Sequence, residues 1–197
     1  MKRQTAKGVY KSYHDSALVL LAFYSGLRKS ELYGLYVKDL IRIDNIFYIY
    51  VTGLGMKKLG LKLKTHSAKR RVKFEINNNE HFDILAKWLN AREQILPNAK
   101  YLFLHFDEKK IYSKVMDVEK FSTCASTMRS ICKRYITFHS LRHSFATYSY
   151  DKIRSMKNSS PYKFLELSIM MGHQSPDITI NSYIHYDLLR ISPHTDI

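Results

Sequence analysis

Four short stretches of the sequence collect residues able to handle a charged substrate. Ser25-Gly26-Leu27-Arg28-Lys29-Ser30-Glu31-Leu32 sets an arginine at a helix–helix junction, with a carboxylate three residues on. His139-Ser140-Leu141-Arg142-His143 opens a helix, and the spacing of His139 and Arg142 turns both to one side of it. Met171-Gly172-His173-Gln174-Ser175-Pro176 holds a histidine between two helices, and Tyr183 follows ten residues later. Guanidinium groups stay charged and fork onto oxyanions, and imidazole titrates close to neutral pH. Each residue also has an ordinary structural role open to it. Arg28 can simply pair with Glu31, His139 can sit at a helix entry, and His173 can cap a helix after Gly172. Tyr183 is one of 15 tyrosines, and Lys64 is one lysine in a basic stretch.

The elements that must position these groups follow from the spacing of apolar residues. Asp15 is placed to cap a helix running through residues 17–23 and stopping near Gly26, with residues 1–11 as a polar lead-in. A second short helix fits residues 29–35. Ile41, Ile43 and residues 46–51 are β-branched or aromatic, with Asp44-Asn45 as a turn signal. Leu61-Lys62-Leu63-Lys64 and Arg71-Val72-Lys73-Phe74-Glu75-Ile76 alternate apolar and polar around a polar turn at 65–70. This predicts an antiparallel sheet of about three strands with one packed face and one basic face. Phe82, Leu85, Ala86 and Leu89 form a helical stripe that ends before Pro97. Residues 101–106 are apolar without a decisive period. Residues 118–134 read as a helix with Phe121, Cys124, Met128, Ile131 and Cys132 inward. Ser140 is placed to cap a helix through Tyr150, and Ser160-Pro161 opens another that ends at Gly172. Ser175-Pro176 opens a last helix carrying Tyr183. The expected fold is α+β, mostly α-helical with a small antiparallel three-stranded sheet. It is expected to be a single domain over residues 1–197 with a core at about 15–186.

Composition narrows the function. The 197 residues carry 32 Lys+Arg against 17 Asp+Glu, a net charge of +15, which calls for an anionic partner. Nucleic acid leads and an acidic membrane surface is second, but no basic amphipathic helix stands out. The longest apolar run covers only residues 17–23, and no secretory signal opens the chain. Cys124 and Cys132 lie eight apart with no zinc spacing around them, so free thiols in a reducing cytoplasm are expected. Phosphate-binding glycine loops, zinc-protease motifs and serine-hydrolase elbows are absent from the sequence.

Order and local context tie the four stretches together. G-L-R-x-x-E-L, a basic hairpin, H-x-L-R-H-S-F-A-T, then M-G-H-x-S-P-x-x-T-x-x-x-Y resembles the catalytic domain of tyrosine recombinases, the phage-integrase family. The resemblance covers roughly residues 17–186. It implies metal-free, ATP-free and cofactor-free cutting and rejoining of DNA through a 3′-phosphotyrosine, as in type IB topoisomerases. Arg28 and Arg142 would hold the scissile phosphate, His173 would add a hydrogen bond, and Tyr183 would be the nucleophile. His139 would take or return the proton, and Lys64 on the basic hairpin would protonate the leaving 5′-oxygen. Lys62, on the same strand face, is the competing lysine. Glu31 and His143 would support the catalytic groups, while Lys62, Lys69, Arg70 and Arg71 would grip the DNA backbone.

Against the family pattern the resemblance leads one to expect a longer segment between Arg142 and His173 with extra polar residues at 151–160, a catalytic domain apart from the family's N-terminal DNA-binding domain, and a short tail after Tyr183. The tail's Leu188, Leu189 and Ile191 can dock on a neighbouring subunit or fold back. The partners to expect are double-stranded DNA at recombination sites and further copies of the chain in a tetramer. An excisionase or a DNA-bending protein is an optional accessory. The setting to expect is the nucleoid of a bacterium or a phage-encoded system, with no membrane. The competing reading is a non-catalytic basic DNA-binding module or inactive integrase remnant, which would bind DNA without a covalent intermediate.

Overall fold

The computed structural model describes residues 4–62, 69–156, 160, 162–173 and 178–179. The first helix, α1 (Ala6–Ser25), starts earlier than the sequence reading placed it. Thr5 caps it, its Oγ1 accepting from the Gly8 N–H at 3.2 Å, and the buried stripe already begins at Tyr10. Asp15 lies inside the helix, where its carboxylate accepts from the His14 Nδ1–H at 2.7 Å. Gly26 ends α1 at φ 61, as its sequence position suggested. Helix α2 (Lys29–Tyr33) and a 3₁₀ turn (Val37–Asp39) lead into the sheet.

Strands β1 (Leu40–Ile43), β2 (Ile46–Val51) and β3 (Arg70–Glu75) form an antiparallel sheet in that order. The expected strand over 71–76 is present as β3, which pairs with β2, with Ile49 opposite Val72 and Val51 opposite Arg70. Between β2 and β3 the chain makes a short helix, α3 (Leu54–Lys58), and Leu61 and Lys62 lie outside any strand. Residues 63–68, Lys64 among them, lie outside the described residues. Phe47, Ile49 and Val51 of β2 and Val72 and Phe74 of β3 face the core, while Arg71, Lys73 and Glu75 face outward. The basic outer face is therefore as the alternation predicted.

Helix α4 (Asn79–Ile95) packs along α1 and buries Leu85, Trp88 and Ala91, with Trp88 stacked on Phe103 at 4.7 Å. Its Arg92 is buried and donates to the carbonyls of Ala99, Tyr101 and Leu102, which ties down the loop before the next strand. Strands β4 (Leu104–Phe106) and β5 (Ile111–Val115) make a second small sheet that the pattern of 101–106 did not disclose. Helix α5 (Glu119–Cys132) turns Phe121 and Cys124 inward, but Ile131 is 74% exposed and Cys132 is exposed. The helix runs past the edge of the core and stops at Lys133 with φ 53. Helix α6 (Phe138–Ser155) starts before Ser140: Thr137 is the cap, and Ser140 reaches back to the Thr137 N–H at 3.2 Å. It continues through part of the expected 151–160 insertion. Helix α7 (Tyr162–Met171) packs on α6 through Phe145, Ala146, Leu167 and Met171. Among the described residues, no helix is long and apolar enough to cross a membrane.

Candidate active site

Arg28 stands at the first residue before α2, in extended conformation directly after the Gly26 turn. Glu31 folds back from the first turn of α2, and its Oε2 accepts from the Arg28 N–H at 2.8 Å. Its Oε1 accepts from Arg28 Nη1 at 3.0 Å. The other end of the Arg28 fork, Nη2, donates to the Gly172 carbonyl at 3.0 Å. Arg28 is thus held between the start of α2 and the turn that follows α7, with its side chain 23% exposed.

Arg142 enters the same place from the first turns of α6. Nη1 donates to the Gly26 carbonyl at 2.6 Å, and Nη2 donates to the Met171 carbonyl. Nη2 also lies 3.4 Å from His173 Nε2. Arginine has no acceptor, so Nε2 is the acceptor and the neutral ring carries its proton on Nδ1. Nδ1 then donates to Thr179 Oγ1 at 2.7 Å, and Thr179 donates in turn to Ser168 Oγ at 3.0 Å. This buried relay fixes the imidazole. Burial lowers the His173 pKa to about 4, with the positive charges of Arg142, Arg28 and Arg70 acting in the same direction.

Gly172 is the pivot of the cluster. It has φ +64, and a Cβ there would stand 2.9 Å from Arg70 Nη1 and 3.1 Å from Arg28 Nη1. Only a residue without a side chain lets two guanidinium groups lie against the turn. His139, exposed on α6, has its Nε2 2.8 Å from His143 Nε2, so one ring donates to the other. Burial lowers the His143 pKa, and the charges of His139 and Arg142 add to that. A cleft of about 610 Å³ opens beside these groups, lined by Arg28, Tyr33, Leu61, Phe138, His139 and Arg142.

A family model, the phage integrase family, matches residues 3–189. The chain belongs to the phage integrase family. As an integrase-family chain it is 26% identical over 199 residues to a tyrosine recombinase of Agathobacter rectalis, covering 100% of this chain and 55% of that protein. It is 30% identical over 195 residues to the transposase from transposon Tn916 of Enterococcus faecalis, covering 91% and 44%. The solved structure of XerH site-specific recombinase bound to difH substrate, a pre-cleavage complex, superposes with a TM-score of 0.60 at 21% identity, over 93% of this chain and 46% of that one. That likeness shows a shared fold. The chain spans about half the length of the curated relatives it matches.

Within this integrase-family fold, Arg28, Arg142, His173 and Glu31 come together, with His139 lining the adjoining cleft and His143 bonded to His139 behind it. Tyr183 and Lys64 lie outside the described residues. Lys62, Lys69 and Arg71 are exposed, and the Arg71 guanidinium sits 5.7 Å over the Tyr48 ring. Arg70 departs from its expected place on a DNA-facing surface. Its side chain is 1% exposed, and it forks onto Glu31 with Nη1 2.8 Å from Oε1 and Nη2 2.9 Å from Oε2. The reason is parity: Arg70 shares the inward face of β3 with Val72 and Phe74. The alternation of the strand, carried back one residue, contained that signal. Ser168 and Thr179 were also missed as supports of His173, and no sequence period distinguishes them.

Proposed function

We propose that the chain is the strand-cleaving part of a site-specific DNA recombinase or integrase. The observation that carries this reading is the convergence of Arg28, Arg142 and His173 on the Gly172 turn from three separated parts of the sequence. A phosphodiester brought to this cleft would meet two fixed positive forks, which offer more to the extra charge of a pentacoordinate transition state than to the ground state. Tyr183 Oη attacks phosphorus, and the bond from phosphorus to the 5′-oxygen breaks. The tyrosine proton passes to His139, and the leaving 5′-oxygen takes a proton from Lys64. The reverse attack by a 5′-hydroxyl rejoins the strand, and the phosphotyrosine conserves the bond energy without ATP. Double-stranded DNA as the partner is supported by the net charge of +15 and by the exposed basic face of β3. A tetramer on paired sites is part of the same reading.

Covalent trapping tests it. The protein is mixed with randomised duplexes nicked so that cleavage frees a short strand and religation is blocked. The expected result is an SDS-resistant protein–DNA band that disappears in Tyr183→Phe while DNA binding persists. DNA binding with no band, in this chain and in a version extended to the length of its relatives, would replace the proposal with a non-catalytic DNA-binding module.

A further inference from the structure

Glu31 has all four of its acceptor positions filled, two by Arg70 and two by Arg28. Burial pushes the Glu31 pKa up, but the Arg70 hydrogen bonds and charge, and then Arg28, outweigh this and hold it below the ordinary carboxylate value. The carboxylate is therefore ionised at neutral pH, against the Arg28 guanidinium. We infer that Arg70 is a positioning residue: by occupying Glu31 bidentately it limits Arg28 to one guanidinium bond with its own neighbour, and so keeps the fork on the Gly172 turn and leaves most of the Arg28 charge for the phosphate. This deepens the recombinase reading and rests on Arg28 being a phosphate ligand.

The geometry gives the mechanism of capture. Arg28 now offers Glu31 one guanidinium nitrogen and its backbone N–H, while Nη2 is spent on the Gly172 carbonyl. Without Arg70, two acceptor positions of a 2%-exposed carboxylate would stand empty, which is costly for a buried charge. Among the described residues, Arg28 is the other cation in ion-pair contact with Glu31, so its fork is the group at hand to fill them. Doing so would pull Nη2 off the Gly172 turn and neutralise Arg28. Arg70 also donates Nε to the Met170 carbonyl at 2.6 Å, so the same side chain pins the last turn of α7 ahead of His173. A lysine could supply the charge but not these three directed bonds.

The test uses the full chain and the variants Arg70→Gln, Glu31→Gln, Arg70→Lys and the double variant Arg70→Gln/Glu31→Gln. Sulfate probes the arginine pocket, counting only the binding that is lost in Arg28→Gln. The nicked-duplex reaction at saturating DNA probes the cleavage step. Arg70→Gln is expected to weaken sulfate about tenfold and slow cleavage about 10²-fold, with DNA affinity changed less than about threefold. Adding Glu31→Gln removes the captor, so the double variant is expected to regain sulfate affinity to within about fivefold of the parent, while cleavage stays about tenfold slow for want of the Arg70 bond to the Met170 carbonyl. Arg70→Lys is expected to keep sulfate affinity within about threefold and to cleave about tenfold more slowly. Unchanged sulfate affinity in Arg70→Gln overturns the inference. So does a double variant that is folded yet stays tenfold weak for sulfate, which would make Arg70 a packing residue alone. If Arg70→Gln does not fold, the charge-neutral double variant and Arg70→Lys decide by the same criteria. A parent that binds sulfate but forms no covalent adduct would defeat the cleavage reading, and the sulfate series would still judge the role of Arg70.

Discussion

The Arg142 guanidinium donates to the Gly26 carbonyl at 2.6 Å, across 116 residues of sequence. Gly26 ends α1 in the left-handed conformation, and Arg28 follows two residues later. One hydrogen bond therefore ties the helix start that carries Arg142 to the turn that aims Arg28. Phe145, one turn along α6, packs so closely that a Cβ on Gly26 would fall 2.3 Å from its ring. Gly26→Ala is expected to lower unfolding stability by about 2–5 kcal/mol, from left-handed strain and overpacking together. Urea unfolding measures this, and a loss below about 1 kcal/mol would mean that α6 shifts freely against the turn.

The two arginines should separate stability from activity. Lysine at either position keeps a charge but loses the fork, and covalent adduct formation should slow about 10²-fold in both Arg28→Lys and Arg142→Lys. Arg142 is buried and serves the carbonyls of Gly26 and Met171. Arg142→Lys should therefore also cost about 1–3 kcal/mol of stability. The partly exposed Arg28 should cost less than about 1 kcal/mol. Equal stability losses with unequal rates would contradict this assignment.

His173 makes stability depend on pH in a defined direction. Its folded pKa is about 4 against an ordinary 6.5, so between these values the unfolded chain binds a proton that the folded chain does not. Stability contributed by the neutral ring is complete above about 6.5 and is lost as the pH falls toward 4. Burial lowers the His14 and His143 pKa values too, so part of the slope belongs to them. Comparing urea midpoints of the parent and His173→Gln between pH 7 and 4 should show a shallower dependence in the variant. Parallel curves would mean that His173 is not held neutral by the fold.

The outer face of β3 should be read out by salt. Arg71 is exposed on it and Lys69 is exposed just before the strand, whereas Arg70 is buried. Lys69→Ala and Arg71→Ala should each reduce the slope of log affinity against log salt for duplex DNA by about one. Neither should shift the urea midpoint by more than about 0.5 kcal/mol equivalents. A slope unchanged by both would move the DNA to another face.

Much of this molecule can be read along the chain because local rules act on neighbours. The alternation in β2 and β3, the Gly26 and Gly172 helix ends, and the motifs around Arg28, Arg142 and His173 all reflect interactions within a few residues. They suffice for the α+β class, for the family and for the identity of the candidate groups. The same local rules misplaced two helix starts, because Thr5 and Thr137 compete with Asp15 and Ser140 and a one-dimensional pattern does not rank rival caps. What only the tertiary structure decides is who satisfies whom. Glu31 could serve Arg28 alone on spacing, yet β2–β3 pairing delivers Arg70 to it from 39 residues away. His173 does cap α7, its backbone N–H donating to the Ser168 carbonyl at 3.1 Å, but only the fold brings Arg142, Thr179 and Ser168 to take both of its ring nitrogens into a relay. Burial makes these choices obligatory, since a charge or polar group removed from water must find its partners inside the fold.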